Sequence, residues 1–450
     1  MNFKLDKTLI EFSKIFFKAG YSCYLVGGAV RNLYAGLPVS DYDFTTNAHP
    51  ETIIKLFKRV IPTGIKHGTV TVLFRDLKLE VTTYRTDGDY SDNRRPDKVE
   101  FTSSILDDLK RRDFTINSMA YDPLTKELLD PHNGKSDLKN KKIRAIGNPA
   151  ERFQEDALRI MRACRFVAQL GFFIEPETLS GMKEKSSNLK SVSAERIRDE
   201  ILKILSSKKP SSAFHVMEET AVLKLILPEL SDCRGIEQKG YHNFDVLDHC
   251  LYSCDGAPQD NLTVRTAAAL HDIGKPIALG HDELGIPTFH GHELASERLS
   301  KNILERLKVP KAFETDVLHL IKHHMFNYLP EWSDSAVRRF IAKVGYNNLN
   351  NLFLLRVADQ YGMNNKPVNS INLYDFKKRI EEILTKDHAF SIKDLDINGN
   401  ILINDASIPK GPEVGIVLDY LLETVLDDPS QNVEKKLIEI ASNFYQTRLS

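Results

Sequence analysis

The strongest constraint in the chain lies near its start, where Leu25-Val-Gly-Gly-Ala-Val-Arg31 is followed ten residues later by Asp41-Tyr42-Asp43. Tyr24-Leu25-Val26 is a short apolar run that predicts a strand. Gly27-Gly28 then lets the backbone take φ > 0 and brings N–H groups up to a phosphate. Ala29 to Ala35 predicts a short helix whose N-terminus favours an anion, with Gly36 placed to end it. Residues i and i+2 of a strand share a face, so Asp41 and Asp43 present their carboxylates together while Tyr42 points away. Two hard oxygen ligands beside a phosphate cradle suit Mg²⁺, and the combination reads as metal-dependent nucleotidyl transfer. The bland alternative is a turn with a solvated Asp-x-Asp; the glycine segment on the correct side of the pair turns the odds against it.

With 450 residues the chain is roughly three times a typical domain, so two to four domains are expected. The formal net charge of −1 means that any nucleic-acid surface is a local patch and not a global excess. Candidate patches are Lys55-Lys58-Arg59, Arg94-Arg95, Lys110-Arg111-Arg112, Lys139-Lys141-Lys142-Arg144 and Lys208-Lys209, each of which is more often a solvated face. The five cysteines are odd in number and show no Cys-x-x-Cys spacing, which fits a reducing compartment. With no signal peptide or spanning segment visible, a cytoplasmic protein without membrane contact is expected.

Residues 1 to about 140 mix helix and strand signals. Thr69 to Phe74, Leu79 to Tyr84 and Val99 to Phe101 look like strands, whereas beyond about 150 helical spacing dominates. Asp130-Pro131-His132-Asn133-Gly134 supplies turn chemistry near the boundary. An α+β head on an all-helical remainder follows. Between the strand signals, Arg85 to Pro96 is too polar to be buried and is expected to be a mobile loop beside the site. Glu80, on the preceding strand, is a candidate third carboxylate; a solvent-facing Glu is nearly as good an account.

Lys110 to Asn117 brings cations, an acid and an amide together before an apolar stretch. Arg111 and Arg112 suit a triphosphate, and Asp113 and Asn117 could hold a sugar; a structural salt-bridge cluster competes. In Glu155-Asp156-Ala-Leu-Arg159-Ile-Met-Arg162-Ala-Cys-Arg165-Phe166 the spacing is helical, so Asp156 and Arg159 are expected on one helix face. One acceptor carboxylate beside one guanidinium donor fits the edges of cytosine and adenine and opposes uracil and guanine. Taken alone, an intrahelical ion pair is the commoner explanation.

A second constellation comprises His249, His271-Asp272-Ile-Gly-Lys275, His290-Gly-His292-Glu293, His323-His324 and Asp359. Neutral imidazoles and carboxylates spread over several helices can hold one or two divalent metals. Density is the point: eight of the 14 histidines fall between His242 and His292 or at His323-His324.

With these residues assembled, the chain resembles the class II CCA-adding enzymes, bacterial tRNA nucleotidyltransferases of the poly(A) polymerase superfamily, in the form that carries an HD domain. Gly27-Gly28-x-x-Arg31 with Asp41 and Asp43 is similar to the family's catalytic motif, and Arg111-Arg112-Asp113-Phe-Thr-x-Asn117 to its ribose and triphosphate motif. Asp130 to Gly134 resembles the head–neck hinge, Glu155-Asp156-x-x-Arg159 the base-selecting motif, and Ser193-Ala-Glu195-Arg196-Ile the neck motif supporting it. Ile397-Asn-Gly-Asn400, Lys410 to Gly415 and Tyr420 onward look like the tail that grips tRNA. The chain departs from the family at Asn32, where Asp is usual, and at Asn133, where a second hinge glycine is usual.

The resemblance implies an α+β nucleotidyltransferase-fold head over 1–140, then an all-α neck over 141–235, an HD-type body over 236–365 and a tail over 366–450. It implies addition of C, C and A to the tRNA 3′ end from CTP and ATP, with Asp41 and Asp43 catalytic on Mg²⁺. The nucleotide would be bound by Gly27, Gly28, Arg31, Arg111, Arg112, Asp113, Asn117, Asp156, Arg159 and Arg162. His249, His271, Asp272, His292, His323 and Asp359 would hold Mn, Ni, Fe or Mg in the HD part, which leaves an additional phosphohydrolase activity open. An A-adding or poly(A) polymerase relative, or an HD phosphohydrolase as the main activity, are the rivals.

Overall fold

The computed structural model describes residues 3–87, 99–238, 243–368 and 370–448, so most of the expected Arg85 to Pro96 loop, and His242, lie outside the described residues. The chain divides into two compact units, Met1–Asp232 with Ile303–Val309, and Cys233–Asn302 with Pro310–Ser450.

The first unit holds one seven-stranded mixed sheet. Its strands are β1 (Cys23–Val26), β2 (Tyr42–Thr46), β3 (Val60–Gly64), β4 (Thr69–Phe74) and β5 (Leu77–Thr83), with β8 (Ala120–Tyr121) and β9 (Leu128–Leu129). β6 (Arg85–Asp87) and β7 (Val99–Phe101) pair as a separate ribbon. The order is β3-β4-β5-β2-β1-β8-β9, with β2 and β5 parallel and the other neighbours antiparallel. Val26 therefore stands beside Asp43, and Asp43 beside Glu80. Behind the sheet, the helix Lys7–Lys18 starts at Asp6, which caps the Thr8 N–H. It packs Phe12 and Phe16 against Phe44, Phe57 and Phe74. After Leu129 the described strands shrink to two-residue pairs and helices take over, as the spacing predicts.

Asn133 occupies the left-handed region (φ 60°, ψ 31°), a conformation that asparagine tolerates nearly as well as glycine. The departure from a second hinge glycine thus leaves the turn intact. Gly134 could not change in the same way, because a Cβ there would lie 2.3 Å from the Thr115 carbonyl oxygen.

In the second unit helices cross closely where side chains are missing. A Cβ on Gly362 would lie 2.0 Å from Ser253 Oγ, which brings the helix Tyr346–Asn364 onto Val246–Gly256. A Cβ on Gly274 would meet the His292 carbonyl at 2.4 Å. These two contacts bring Asp359 to His249 and Asp272 to His292. Farther along, Leu402, Val417, Leu421, Leu437 and Ala441 form a separate tail core.

Candidate active site and metal centre

β1 ends at Val26, and Gly27 turns with φ 69° and ψ −135° into the helix Gly28–Ala35, which Gly36 closes in the left-handed region. A Cβ on Gly27 would lie 3.2 Å from Arg112 Nη1 and 3.8 Å from Asp43 Oδ2, so the bare backbone forms the floor of the site. Above it opens a polar cavity of about 470 Å³, lined by Gly27, Gly28, Asp43, Asp113, Asn117, Asp156 and seven arginines: Arg31, Arg111, Arg112, Arg159, Arg162, Arg165 and Arg196. Every residue expected at the nucleotide site lines this one cavity. Asp41, two residues before Asp43, is exposed and accepts a hydrogen bond from Ser40 at 2.8 Å. Burial raises the Asp43 carboxyl above the usual range and Glu80 beside it adds to the rise, while Arg112 opposes them.

The cations are held in place by carboxylates. Asp108, fully buried, accepts from Arg111 at 2.7 Å and from Arg112 at 3.4 Å. Burial works to raise its carboxyl, but the two arginines bring it below the usual range. Arg162 donates to Asp113 Oδ2 at 2.7 Å, and Asn117 Nδ2 to Asp113 Oδ1 at 3.0 Å. Here too burial opposes the charge, yet Arg162 and the bond from Asn117 pull Asp113 down to about 2. The hydrogen bonds of Asp113 and Asn117 are thus spent largely inside the protein.

One expectation needs correction. Asp156 and Arg159 do not share a face of one helix: the helix Pro149–Glu155 ends at Asp156, which is extended (φ −140°, ψ 102°), and a new helix runs from Leu158 to Leu170. They are not each other's partner either. Asp156 Oδ2 accepts from Arg196 at 2.9 Å, whereas Arg159 pairs with Glu155 at 2.5 Å and donates to the Arg111 carbonyl at 3.1 Å. The break turns both side chains into the cavity with separate anchors. Sequence reasoning also missed Asp108, whose spacing of three and four before Arg111 and Arg112 is the helical ion-pair signal. Arg165 was missed as well. It lines the cavity, pairs with buried Glu200 at 3.0 Å and lies over Phe166, whose ring also has Arg31 and Arg162 within 6 Å.

The second constellation converges in the other unit. His249 Nε2 lies 3.1 Å from His271 Nε2 and 3.2 Å from both Asp272 Oδ2 and Asp359 Oδ1. On the opposite side of the same carboxylate, Asp272 Oδ1 lies 3.1 Å from His292 Nε2 and 3.7 Å from His324 Nε2. His271, His292 and His324 each place Nδ1 2.7–2.9 Å from a backbone carbonyl, of Ala268, Phe289 and Ile321. If those Nδ1 atoms donate, each Nε2 carries a lone pair aimed at the centre. The lone pairs of His292 and His324 then face each other 3.3 Å apart beside Asp272, which a cation between them satisfies, so the donor set fits one or two divalent metals sharing Asp272. The expected ligand His323 is corrected to His324. His323 ends the helix Lys311–His323 and lies against the tilted ring of His319 at 4.6 Å, and it is not among the residues whose ligand atoms converge.

Comparison with known proteins identifies the family. The sequence model of the Poly A polymerase head domain matches residues 23–144, that of the probable RNA and SrmB-binding site of polymerase A matches 171–233, and that of the HD domain matches 240–364. The CCA-adding enzyme of Lactobacillus johnsonii is 34% identical over 426 residues, covering 94% of each chain. The chain belongs to the CCA-adding enzymes. It is accordingly a nucleotidyltransferase, with the α+β head and helical HD-containing remainder expected of it. The CCA-adding enzyme of Enterococcus faecalis is 51% identical over 229 residues, 51% of this chain and 54% of that one. Among solved structures, the Bacillus stearothermophilus CCA-adding enzyme in complex with CTP superposes over 98% of both chains with a TM-score of 0.76 and 26% identity. The nucleotidyltransferase and HD families to which its parts belong generally use divalent metals.

Proposed function

We propose that the chain adds C, C and A in turn to the 3′ end of tRNA, using CTP and ATP and releasing pyrophosphate. The observation that carries this reading is convergence: the Gly27 turn, Asp43, the triphosphate-type arginines and the Asp156 and Arg159 pair open on one cavity. The head (1–140) supplies the cradle and the carboxylates, the neck (141–235) the base-reading pair, and the HD body (236–365) and tail (366–450) the remainder. Asp41 and Asp43 would hold Mg²⁺, which supplies Lewis-acid polarisation of the phosphoryl group when bound. The glycine turn and Arg112 fix the triphosphate so that the tRNA 3′-hydroxyl meets the α-phosphate in line. Asp156 accepts from the exocyclic amino group of cytosine or adenine and Arg159 donates to the ring nitrogen, so uracil and guanine leave polar groups unpaired. Among the described residues no helix is long and apolar enough to cross a membrane, and a cytoplasmic setting with tRNA as partner is part of the same proposal.

The test is incorporation of labelled CTP and ATP, separately and together, into tRNA ending before CCA, in C or in CC. Full addition that stops after A, lost in Asp41→Ala and Asp43→Ala, is expected. Addition of A alone to the CC-ending tRNA would overturn full CCA synthesis in favour of an A-adding enzyme. A second activity is favoured by the HD cluster and its 770 Å³ cavity, where Lys275 and Arg356 stand beside Asp272 and Asp359 at 2.6 and 2.7 Å. Two cations beside a metal-type cluster suit hydrolysis of a phosphate ester or cyclic phosphate, supported by Mn, Ni, Fe or Mg.

A further inference from the structure

The seven cavity arginines are not equivalent. Six pair with a carboxylate: Arg111 and Arg112 with Asp108, and Arg159, Arg162, Arg165 and Arg196 with one acid each. Arg31 has no carboxylate at ion-pair distance among the described residues. Arg31 as a residue is only 9% exposed, and its guanidinium is held by neutral amide oxygens. Nε and Nη2 donate to Asn32 Oδ1 at 3.0 and 2.9 Å, and Nη1 donates to Asn117 Oδ1 at 2.8 Å. Asn32 is itself fixed, since its Nδ2 donates to the Pro38 carbonyl at 2.9 Å. That donor bond places the amide oxygen toward Arg31.

The neighbourhood makes this charge costly to leave alone. Burial lowers the Arg31 pKa to about 10; Asp113 opposes the fall, and Arg165 and Arg162 add to it. A buried cation near other cations, tethered by acceptors that carry no charge, is relieved most by an anion that arrives from outside. Three of its five N–H groups are taken, which leaves two for oxygens in the cavity.

We infer that Asn32 is a positioning residue for nucleotide binding: it orients Arg31 without neutralising it, so that Arg31 keeps a full charge for the phosphate tail of the incoming nucleotide. The inference rests on the proposed nucleotidyl transfer and concerns how strongly this chain holds the triphosphate. An aspartate at 32 has the same shape and can accept both bonds from Arg31; it loses the donor bond to the Pro38 carbonyl and supplies the missing counter-charge. The nucleotide tail and the released pyrophosphate would then compete with a fixed carboxylate.

The experiment compares wild type, Asn32→Asp and Asn32→Ala in the full chain. Addition kinetics are read with CTP and with ATP, and binding of pyrophosphate and of cytidine is read by calorimetry. For Asn32→Asp, KM for both nucleotides and Kd for pyrophosphate are expected to rise about tenfold, as for one added charge at a partly buried site. The value of kcat stays within about twofold and cytidine, which has no phosphate, binds as before. Asn32→Ala, which loses orientation and not charge, is expected to lower kcat more than it raises pyrophosphate Kd. Unchanged pyrophosphate affinity in Asn32→Asp overturns the inference. So does an equal loss of cytidine and pyrophosphate binding, or identical behaviour of the Ala and Asp variants. A wild-type chain that binds pyrophosphate but adds neither nucleotide would overturn the proposed function instead, and the calorimetric comparison would still decide the role of Asn32.

Discussion

The nucleotide cavity and the HD cluster collect similar numbers of charged and metal-binding side chains, but they hold them differently. In the cavity, cations are braced by carboxylates, locally as Arg111 and Arg112 are by Asp108 or from other segments as Arg165 is by Glu200 and Arg196 by Asp156, and a polar space of about 470 Å³ stays open among them. In the cluster, four imidazoles and Asp272 and Asp359 are all buried and point at one another across 3.1–3.7 Å. The first arrangement suits a ligand that brings its own charge and leaves after each turnover. The second suits a resident ion, because without a cation its lone pairs and carboxylates face each other in a low-dielectric interior.

The largest effect that sharpens this contrast is loss of the ion. Asp272→Ala removes the carboxylate that faces both His249 with His271 and His292 with His324. Metal bound per chain, measured by elemental analysis after dialysis, should fall to background, a greater loss than the roughly 10- to 100-fold that an outer hydrogen-bond partner costs. The proposed phosphohydrolase activity should vanish with it while CCA addition stays within about twofold. His324→Ala should behave similarly and His323→Ala should keep its metal. The reverse ranking of the two histidines would refute the ligand assignment drawn from the geometry.

A smaller effect is expected on base choice. Arg196→Ala leaves Asp156 without the guanidinium that fixes its Oδ2, and loss of one charge-assisted hydrogen bond of about 1.5 kcal/mol should raise UTP incorporation relative to CTP about tenfold. Thermal stability and kcat with CTP should change less. Unaltered discrimination would mean that Asp156 is held by its own turn alone, since its Oδ1 already accepts from the Leu158 N–H at 3.1 Å.

That turn at Asp156 separates what was legible in the sequence from what was not. The Gly27 turn and the strands from Thr69 to Thr83 were readable because each is a local pattern with a local cause, whereas Asp41 stands just before β2 and is not among the residues lining the cavity with Asp43. The interruption at Asp156 was hidden, because neither Pro nor Gly marks it and the flanking residues keep helical spacing. An acid two residues before an apolar run is the one local hint, through its preference for capping. The choice between His323 and His324 is a matter of about 100° of helical rotation at a helix end, which depends on packing and not on spacing. The partners of Arg159 and Arg165 were likewise set by tertiary approach, with Arg111 and Glu200 separated from them by 48 and 35 residues.

The smallest effect concerns Glu80, which stands beside Asp43 in the β2–β5 register. Burial and the Glu80 charge both raise the Asp43 carboxyl, so as pH falls Asp43 takes up its proton earlier than an ordinary aspartate. The sign follows directly. If the ionised form is the one that works, the acid limb of kcat/KM for CTP lies at higher pH than an unperturbed carboxylate would give. Glu80→Gln keeps the shape and deletes one of the three raising influences, burial and Asp41 being the others, so the limb should move to lower pH with little change on the plateau. An unmoved limb would mean that the Glu80 charge is screened from Asp43, because that exposed side chain meets solvent. A plateau that collapses instead would place Glu80 with Asp41 and Asp43 as a third carboxylate around the ion. The nucleotide cavity would then depend on a resident metal as the HD cluster does, and the contrast between the two regions would narrow to how each holds its arginines.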